Sequence, residues 1–279
     1  MKQFDFKRFG WMLKNHFCVT RNTWLGVFGV YTLVLFLADL FITRVQGINY
    51  SEELEHVGID VVREMYASQV NGSADFGQFF FLIAMMICAS LIFSHLKTNA
   101  QRSTFLTLPA SNVEKYLVCF LQVVVLVGIG TFVAYCIGDG LRVLTDLLTG
   151  RVVIWGVPYF FDAHNAYFWP WGVWMIGWLI YFHSVYILGG ALFRRLAFVL
   201  TSVLVVIGFF LVMWGVRATI DIINWHRFPI YQTCDGEYTY HPLFYVFMVL
   251  LYLLAAVHYW LSYRIFSRMQ IISRKYLNV

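Results

Sequence analysis

A chain of 279 residues that is 60% hydrophobic and only 13% charged, with a mean hydropathy of +0.69, has too little polar surface to cover a soluble globule. The net charge of +5 is sorted loop by loop rather than gathered into one patch, which excludes nucleic acid as the expected partner. The composition predicts an all-α integral membrane protein.

From the N-terminus, Met1 to Arg21 alternates Phe4, Phe6, Phe9, Trp11, Met12, Leu13 and Phe17 with Lys2, Lys7, Arg8, Lys14 and Arg21. This pattern suits an amphipathic helix lying among lipid headgroups, aromatics down and cations up. A cleavable signal peptide would carry one apolar core and a small-residue cleavage site; this start is charged throughout and is expected to be retained.

Six apolar runs follow, each near the ~20 residues that a helix needs to cross a hydrocarbon core. They fall at about Trp24 to Thr43, Phe76 to Ser94, Tyr116 to Ile137, Trp169 to Gly189, Ala197 to Val216 and Pro242 to Leu261. The gaps alternate in charge. On the side shared with the N-terminus lie Lys2, Lys7, Arg8, Lys14, Arg21, Lys97, Arg102, Lys115, Arg194, Arg195, Arg264, Arg268, Arg274 and Lys275, fourteen of the twenty basic residues. Arg44, Arg63, Arg142, Arg151, Arg217 and Arg227 lie on the other. The positive-inside rule then predicts six spans with both termini cytoplasmic and a tail over 262–279.

Three outer loops are expected at Arg44 to Asp75, Gly138 to Phe168 and Arg217 to His241, the first with an amphipathic helix in SEELEHVGIDVVREMY. The aromatic stretch Val152 to Tyr167 suits an interfacial belt. No linker, low-complexity tract or repeat divides the chain, so a single domain over 1–279 is expected. Gly26 and Gly29, Gly128 and Gly130, and Gly172 and Gly177 are candidate points of close helix approach, although glycine is common in spans.

Between the second and third runs, Leu96 to Tyr116 (LKTNAQRSTFLTLPASNVEKY) is polar and cationic, yet holds Phe105, Leu106 and Leu108. Pro109 stops any helix before it, and Ser111 with Glu114 forms an S-x-x-E capping box that starts the next. The expected form is helix, break and capped helix, with an apolar knuckle outside the bilayer.

TFLTLPASNVEKY before an apolar span resembles the loop after the second span of bacterial type-2 ABC transporter permeases. SVYILGGALFRRLAFVLT, Ser184 to Thr201, is similar to the dibasic turn between the fourth and fifth spans of such permeases from Bacteroidetes-like bacteria, and FDFKRFGWMLKNHF fits their entry helix. The resemblance covers about a quarter of the chain, and the six-span layout also fits it. It implies a coupling helix within 96–115 that docks on a separate ABC ATPase subunit, present in two copies. Gln101, Arg102, Phe105, Leu106, Thr107, Leu108 and Pro109 would form that interface, with Phe105, Leu106 and Leu108 as anchors and Gln101 and Arg102 as rim. It also implies a second permease subunit, identical or different, and a place in a bacterial cytoplasmic membrane. Short re-entrant helices often occupy the last outer segment of the family; ATIDIINWHRFPIYQTCDGEYTY is less apolar and departs from that pattern.

Motifs of known chemistry are absent from the sequence. No G-x-x-x-x-G-K-[ST] loop is present, so energy from ATP must come from a partner, and no cofactor or metal is expected. H-E-x-x-H, C-x-x-C and G-x-S-x-G are also missing, so the chain is not expected to be an enzyme. His95, His183 and His258 lie in or at the ends of spans, where satisfying hydroxyl or backbone groups is the simpler role. Asp39 is the one carboxylate inside a predicted span, near its outer end and five residues before Arg44, where a hydrated interfacial position is favoured over a substrate or proton site. Cys136 and Cys234 could pair at the outer face, with free thiols the preferred alternative.

With the resemblance to type-2 permeases, the chain is expected to be the membrane subunit of an ABC transporter, an exporter by that resemblance. An ATPase-free scaffold or sensor, and an intramembrane enzyme using the histidines and Asp39, are the competing classes.

Overall fold

The computed structural model describes residues 4–45, 58–96, 98–161, 173–193, 195–223, 231–234, 237–240 and 242–269. Helices dominate: α1 (Phe6–Leu40), α2 (Ile59–Ser90), the short α3 (Asn99–Leu106), α4 (Asn112–Leu148), the short α5 (Val157–Phe161), α6 (Val173–Leu192), α7 (Ala197–Ile223) and α8 (Pro242–Ser267). Among the described residues, five helical stretches are long and apolar enough to cross a bilayer: Phe6–Arg44, Ile59–Leu96, Asn112–Leu148, Ala197–Gly215 and Phe244–Ser267. Ile176–Leu192 is apolar but shorter. These helices are compatible with a multi-pass membrane protein. Between α7 and α8, β1 (Tyr231–Cys234) and β2 (Glu237–Tyr240) pair antiparallel, Tyr231 opposite Tyr240 and Cys234 opposite Glu237.

Several helices outrun their apolar runs. α1 is continuous for 35 residues, so the N-terminal amphipathic segment and the first run are one helix rather than two. At ~1.5 Å per residue it is about 52 Å long, well beyond a ~30 Å hydrocarbon core. Asp5 starts it by accepting from the amides of Lys7 and Arg8, and no proline interrupts it. α2 likewise begins at Ile59, after Gly58 at φ +84°, and absorbs most of the expected first outer loop. Val62, Tyr66, Val70 and Ala74 give one buried stripe at four-residue spacing, which keeps the polar end of this helix packed. α4 runs on to Leu148, and Gly150 at φ +68° turns the chain two residues later. The stretch 51–57, most of the aromatic belt after 161, the remainder of the last outer segment and the tail beyond 269 lie outside the described residues.

The chain forms two compact units, one holding residues 4–85 and 120–168, the other 86–119 and 169–279. In the first, Gln122 donates to Thr20 and Arg44 pairs with Asp146, both 102 residues apart. The Phe28 ring occupies the space at Gly130, and the backbone of Thr32 and Phe36 lies 3.5 Å from where a Cβ on Gly138 would be. A constant offset means that α1 and α4 run parallel. α2 runs against them, with Tyr66 bonded to Asp146 and Gly77 facing Tyr135. Gly26 and Gly29, two of the expected approach points, face open space, and Gly128 meets only the Met85 methyl at 3.9 Å.

In the second unit, Tyr252 donates to the Val173 carbonyl (2.8 Å) and Tyr259 to that of Ile180 (3.4 Å), so α6 and α8 are parallel. Gly177 meets the Tyr252 ring at 3.4 Å. α6 and α7 form an antiparallel hairpin, tied by Tyr186 and Ser202 (2.9 Å) and by the seating of Thr201 on Gly189. A Cβ on Gly190 would lie 2.6 Å from the Ser90 carbonyl oxygen, so this position requires glycine.

Candidate functional site

An eight-residue helix in isolation would be marginal, because nucleation costs more than so few bonds return. α3 is held at both ends and from below. At its start Thr98 and Gln101 make a reciprocal capping box, the Gln101 amide donating to Thr98 Oγ1 (3.2 Å) and the Thr98 amide to Gln101 Oε1 (3.3 Å). At its end the Lys115 ammonium donates to the Leu106 carbonyl (2.6 Å), one of the acceptors that a helix terminus leaves open. Beyond Pro109 a second box starts α4: the Glu114 amide donates to Ser111 Oγ (3.2 Å) and the Ser111 amide to Glu114 Oε2 (2.8 Å).

From below, Phe105 enters an aromatic cluster. Its ring meets His95 edge-on at 5.0 Å and Phe266 at 6.5 Å, while Phe93 stacks on Phe266 at 5.1 Å. Tyr116 joins at 5.9 Å from Phe266, its hydroxyl 2.5 Å from Ser262 Oγ. The segment is thus bolted to the start of α4 and the end of α8. This corrects two expectations. Phe105 is buried rather than offered as a surface anchor, and Arg102, only 1% exposed, is not a rim residue. The amphipathic register of α3 explains both: positions 102 and 105 share the inward face, whereas Gln101 and Thr104, and Thr107 and Pro109 after it, are exposed. Leu106 and Leu108 are half-buried.

The other unit contains a buried charge cluster that the sequence reading missed. Arg142 Nη2 pairs with Asp139 Oδ1 at 2.6 Å and Nη1 with Asp146 Oδ2 at 2.8 Å, all three side chains about 1% exposed or less. Nη2 also donates to the Ile154 carbonyl (2.6 Å). The Tyr66 hydroxyl and Arg44 Nη2 donate to Asp146 at 2.6 and 2.7 Å. Asp139 Oδ2 accepts from the amides of Gly156 (2.9 Å) and Val157 (3.1 Å) at the start of α5. The signal was present: DGLRVLTD spaces Asp139, Arg142 and Asp146 at i, i+3 and i+7, one face of a helix. Arg44 and Arg142, two of the six arginines expected on the side away from the N-terminus, are thus paired with carboxylates.

Asp39 is 3% exposed, so its side chain is buried among protein groups and not hydrated as expected. Ser73 Oγ donates a short hydrogen bond to its Oδ1, and Thr43 Oγ1 donates to its carbonyl at 2.7 Å. Among the described residues it makes no ion pair. Asp39→Asn keeps an acceptor for Ser73 and removes the cost of burying a carboxylate. The expected result is a melting temperature equal to or above that of the parent in detergent, whereas Asp39→Leu, which strands the Ser73 hydroxyl, lowers it.

Two of the three histidines expected in or at the ends of spans, His183 and His258, serve the contact between α6 and α8. His183 Nδ1 lies 3.0 Å from the Tyr259 hydroxyl, and Ser184 Oγ 3.1 Å from His258 Nδ1. Ser184 Oγ also donates to the Tyr181 carbonyl at 2.6 Å. Cys136 is a free thiol. Set against known protein families, curated proteins and solved structures, the chain has no significant match.

Proposed function

We propose that this chain is the membrane subunit of a type-2 ABC exporter, crossing the bilayer six times with both termini in the cytoplasm. Two membrane subunits and two copies of a separate ATPase would form the working complex. The observation that carries the reading is the bracing of α3: a short helix between two long ones, capped at both ends and anchored by Phe105, presents Gln101, Thr104, Thr107 and Pro109 outward. Such a helix transmits a push without bending. ATP-driven closure of an ATPase dimer against this face shifts the population of inward- and outward-facing states by its differential binding energy. The alternating directions of α1, α2 and α4, and of α6, α7 and α8, support six passes, with α6 tilting less because it is shorter.

The contact is tested on the exposed face. Thr104→Arg combined with Thr107→Arg, which suits the C-terminal end of α3 but changes its exposed face, is expected to lower co-purification of a Walker-motif ATPase from the native host's membranes by roughly tenfold or more, as loss of a hot-spot face does. Abundance and melting temperature of the membrane subunit should not change. Undiminished ATPase recovery sinks the coupling assignment. Orientation is tested separately: a reporter active only outside the cytoplasm, fused after Val279, is expected to be silent, and activity there means an odd number of passes or the reverse orientation.

A further inference from the structure

The unit built from residues 4–85 and 120–168 carries a groove of about 500 Å³ between the N-terminal half of α1 and the π-helical turn Gln122–Leu126 of α4. That volume lies within the ~300–1,000 Å³ of typical small-molecule sites. Leu13 and Phe17 form one wall, and Leu121, Val125 and Ile129 the other. Phe17, Val125 and Ile129 are exposed, and the space beside Gly10 is open. The groove belongs to the part of α1 that extends past the first apolar run, facing a part of α4 that lies inside the third.

One cation sits in its wall, Lys14. Lys7 and Arg21 are seven residues to either side, and a seven-residue step returns to nearly the same face of a helix, so the three form an exposed cationic stripe along the groove. From residue 4 to 23 the sole acid is Asp5, which is engaged in capping α1. An apolar slot bordered by positive charge at the end of a span complements an amphiphile with an apolar tail and a negative head. A second copy of the chain seated by the same patch would bring one cationic stripe against another, which two-fold self-association disfavours.

We propose that this groove holds an acyl chain of an anionic phospholipid from the surrounding bilayer, with Lys14 on the headgroup phosphate and Lys7 and Arg21 flanking it. Occupancy fills the gap between α1 and α4, so the lipid acts as a wedge that fixes the end of α1. The inference needs a bilayer but no ATPase, so it stands or falls independently of the transporter reading.

The test uses the purified full-length chain in detergent, titrated with phosphatidylglycerol or phosphatidylcholine of identical acyl chains and read by native mass spectrometry. The parent is expected to retain one phosphatidylglycerol with about fivefold preference over phosphatidylcholine, the effect of roughly one basic residue at a membrane surface. Lys14→Gln should abolish the preference while leaving the melting temperature unchanged. Val125→Trp, at an exposed position in the wall, should reduce retention of both lipids. Equal retention of the two lipids by the parent overturns the proposal, as does a preference that survives both substitutions. A dimer that Val125→Trp dissociates would assign the groove to a second copy instead and also overturns it.

Discussion

Arg142→Met is expected to lower the stability of the folded chain by about 3–5 kcal/mol, the usual consequence of removing one partner from a buried ion pair. The substitution keeps the volume of the side chain and removes its charge, leaving Asp139 and Asp146 buried without their shared guanidinium. Tyr66, Arg44 and the Gly156 and Val157 amides remain as donors, so the two carboxylates do not lose every partner. Thermal unfolding in detergent should show a drop on the order of 10 °C. Adding Asp139→Asn and Asp146→Asn to Arg142→Met should recover part of the loss, because no uncompensated charge is then buried; such non-additivity marks groups that share one network. Arg142→Lys should fall between, since an ammonium cannot serve two carboxylates and the Ile154 carbonyl with the planar fork of a guanidinium. If Arg142→Met melts with the parent, the cluster does not hold α4, α2 and the 150–157 connection together as described.

Phe105→Ala is expected to cost about 3–5 kcal/mol, the range for truncating a buried phenylalanine. The reason is its place between His95 and Phe266 in the cluster with Phe93 and Tyr116. Losing it frees α3 from the end of α8 and exposes Arg102 and Lys115, both buried in the parent. Limited trypsin digestion should then cut after these two residues much faster than in the parent. Phe105→Ala should therefore impair any partner binding indirectly, with a lowered melting temperature. Substitutions at Thr104 and Thr107 should impair it with stability intact. A Phe105→Ala protein that keeps its melting temperature and its trypsin resistance would return Phe105 to the surface role that the sequence suggested.

The sequence by itself determined whatever depends on composition or on partners within about four residues. Apolar runs near twenty residues long already implied helices able to cross a bilayer, because a bilayer leaves backbone groups no partners outside the helix. The box at Ser111 and Glu114 and the break at Pro109 were legible for the same local reason: donor and acceptor are three residues apart and need no tertiary context. Helix ends were not legible from hydropathy, because the bonds that carry α1 back to Phe6 and α2 back to Ile59 are indifferent to whether the side chains are apolar. Only the tertiary structure decided which side of α3 faces inward, burying Phe105 and Arg102 while exposing Thr104 and Thr107. It also decided that Asp39 meets Ser73 rather than water, and that Arg44 and Tyr66 reach Asp146 across 102 and 80 residues. Those partners are set by the register of parallel and antiparallel helices, which depends on how Phe28 fills the space at Gly130 and how closely α1 approaches Gly138, and no window of local sequence contains both sides of such a contact.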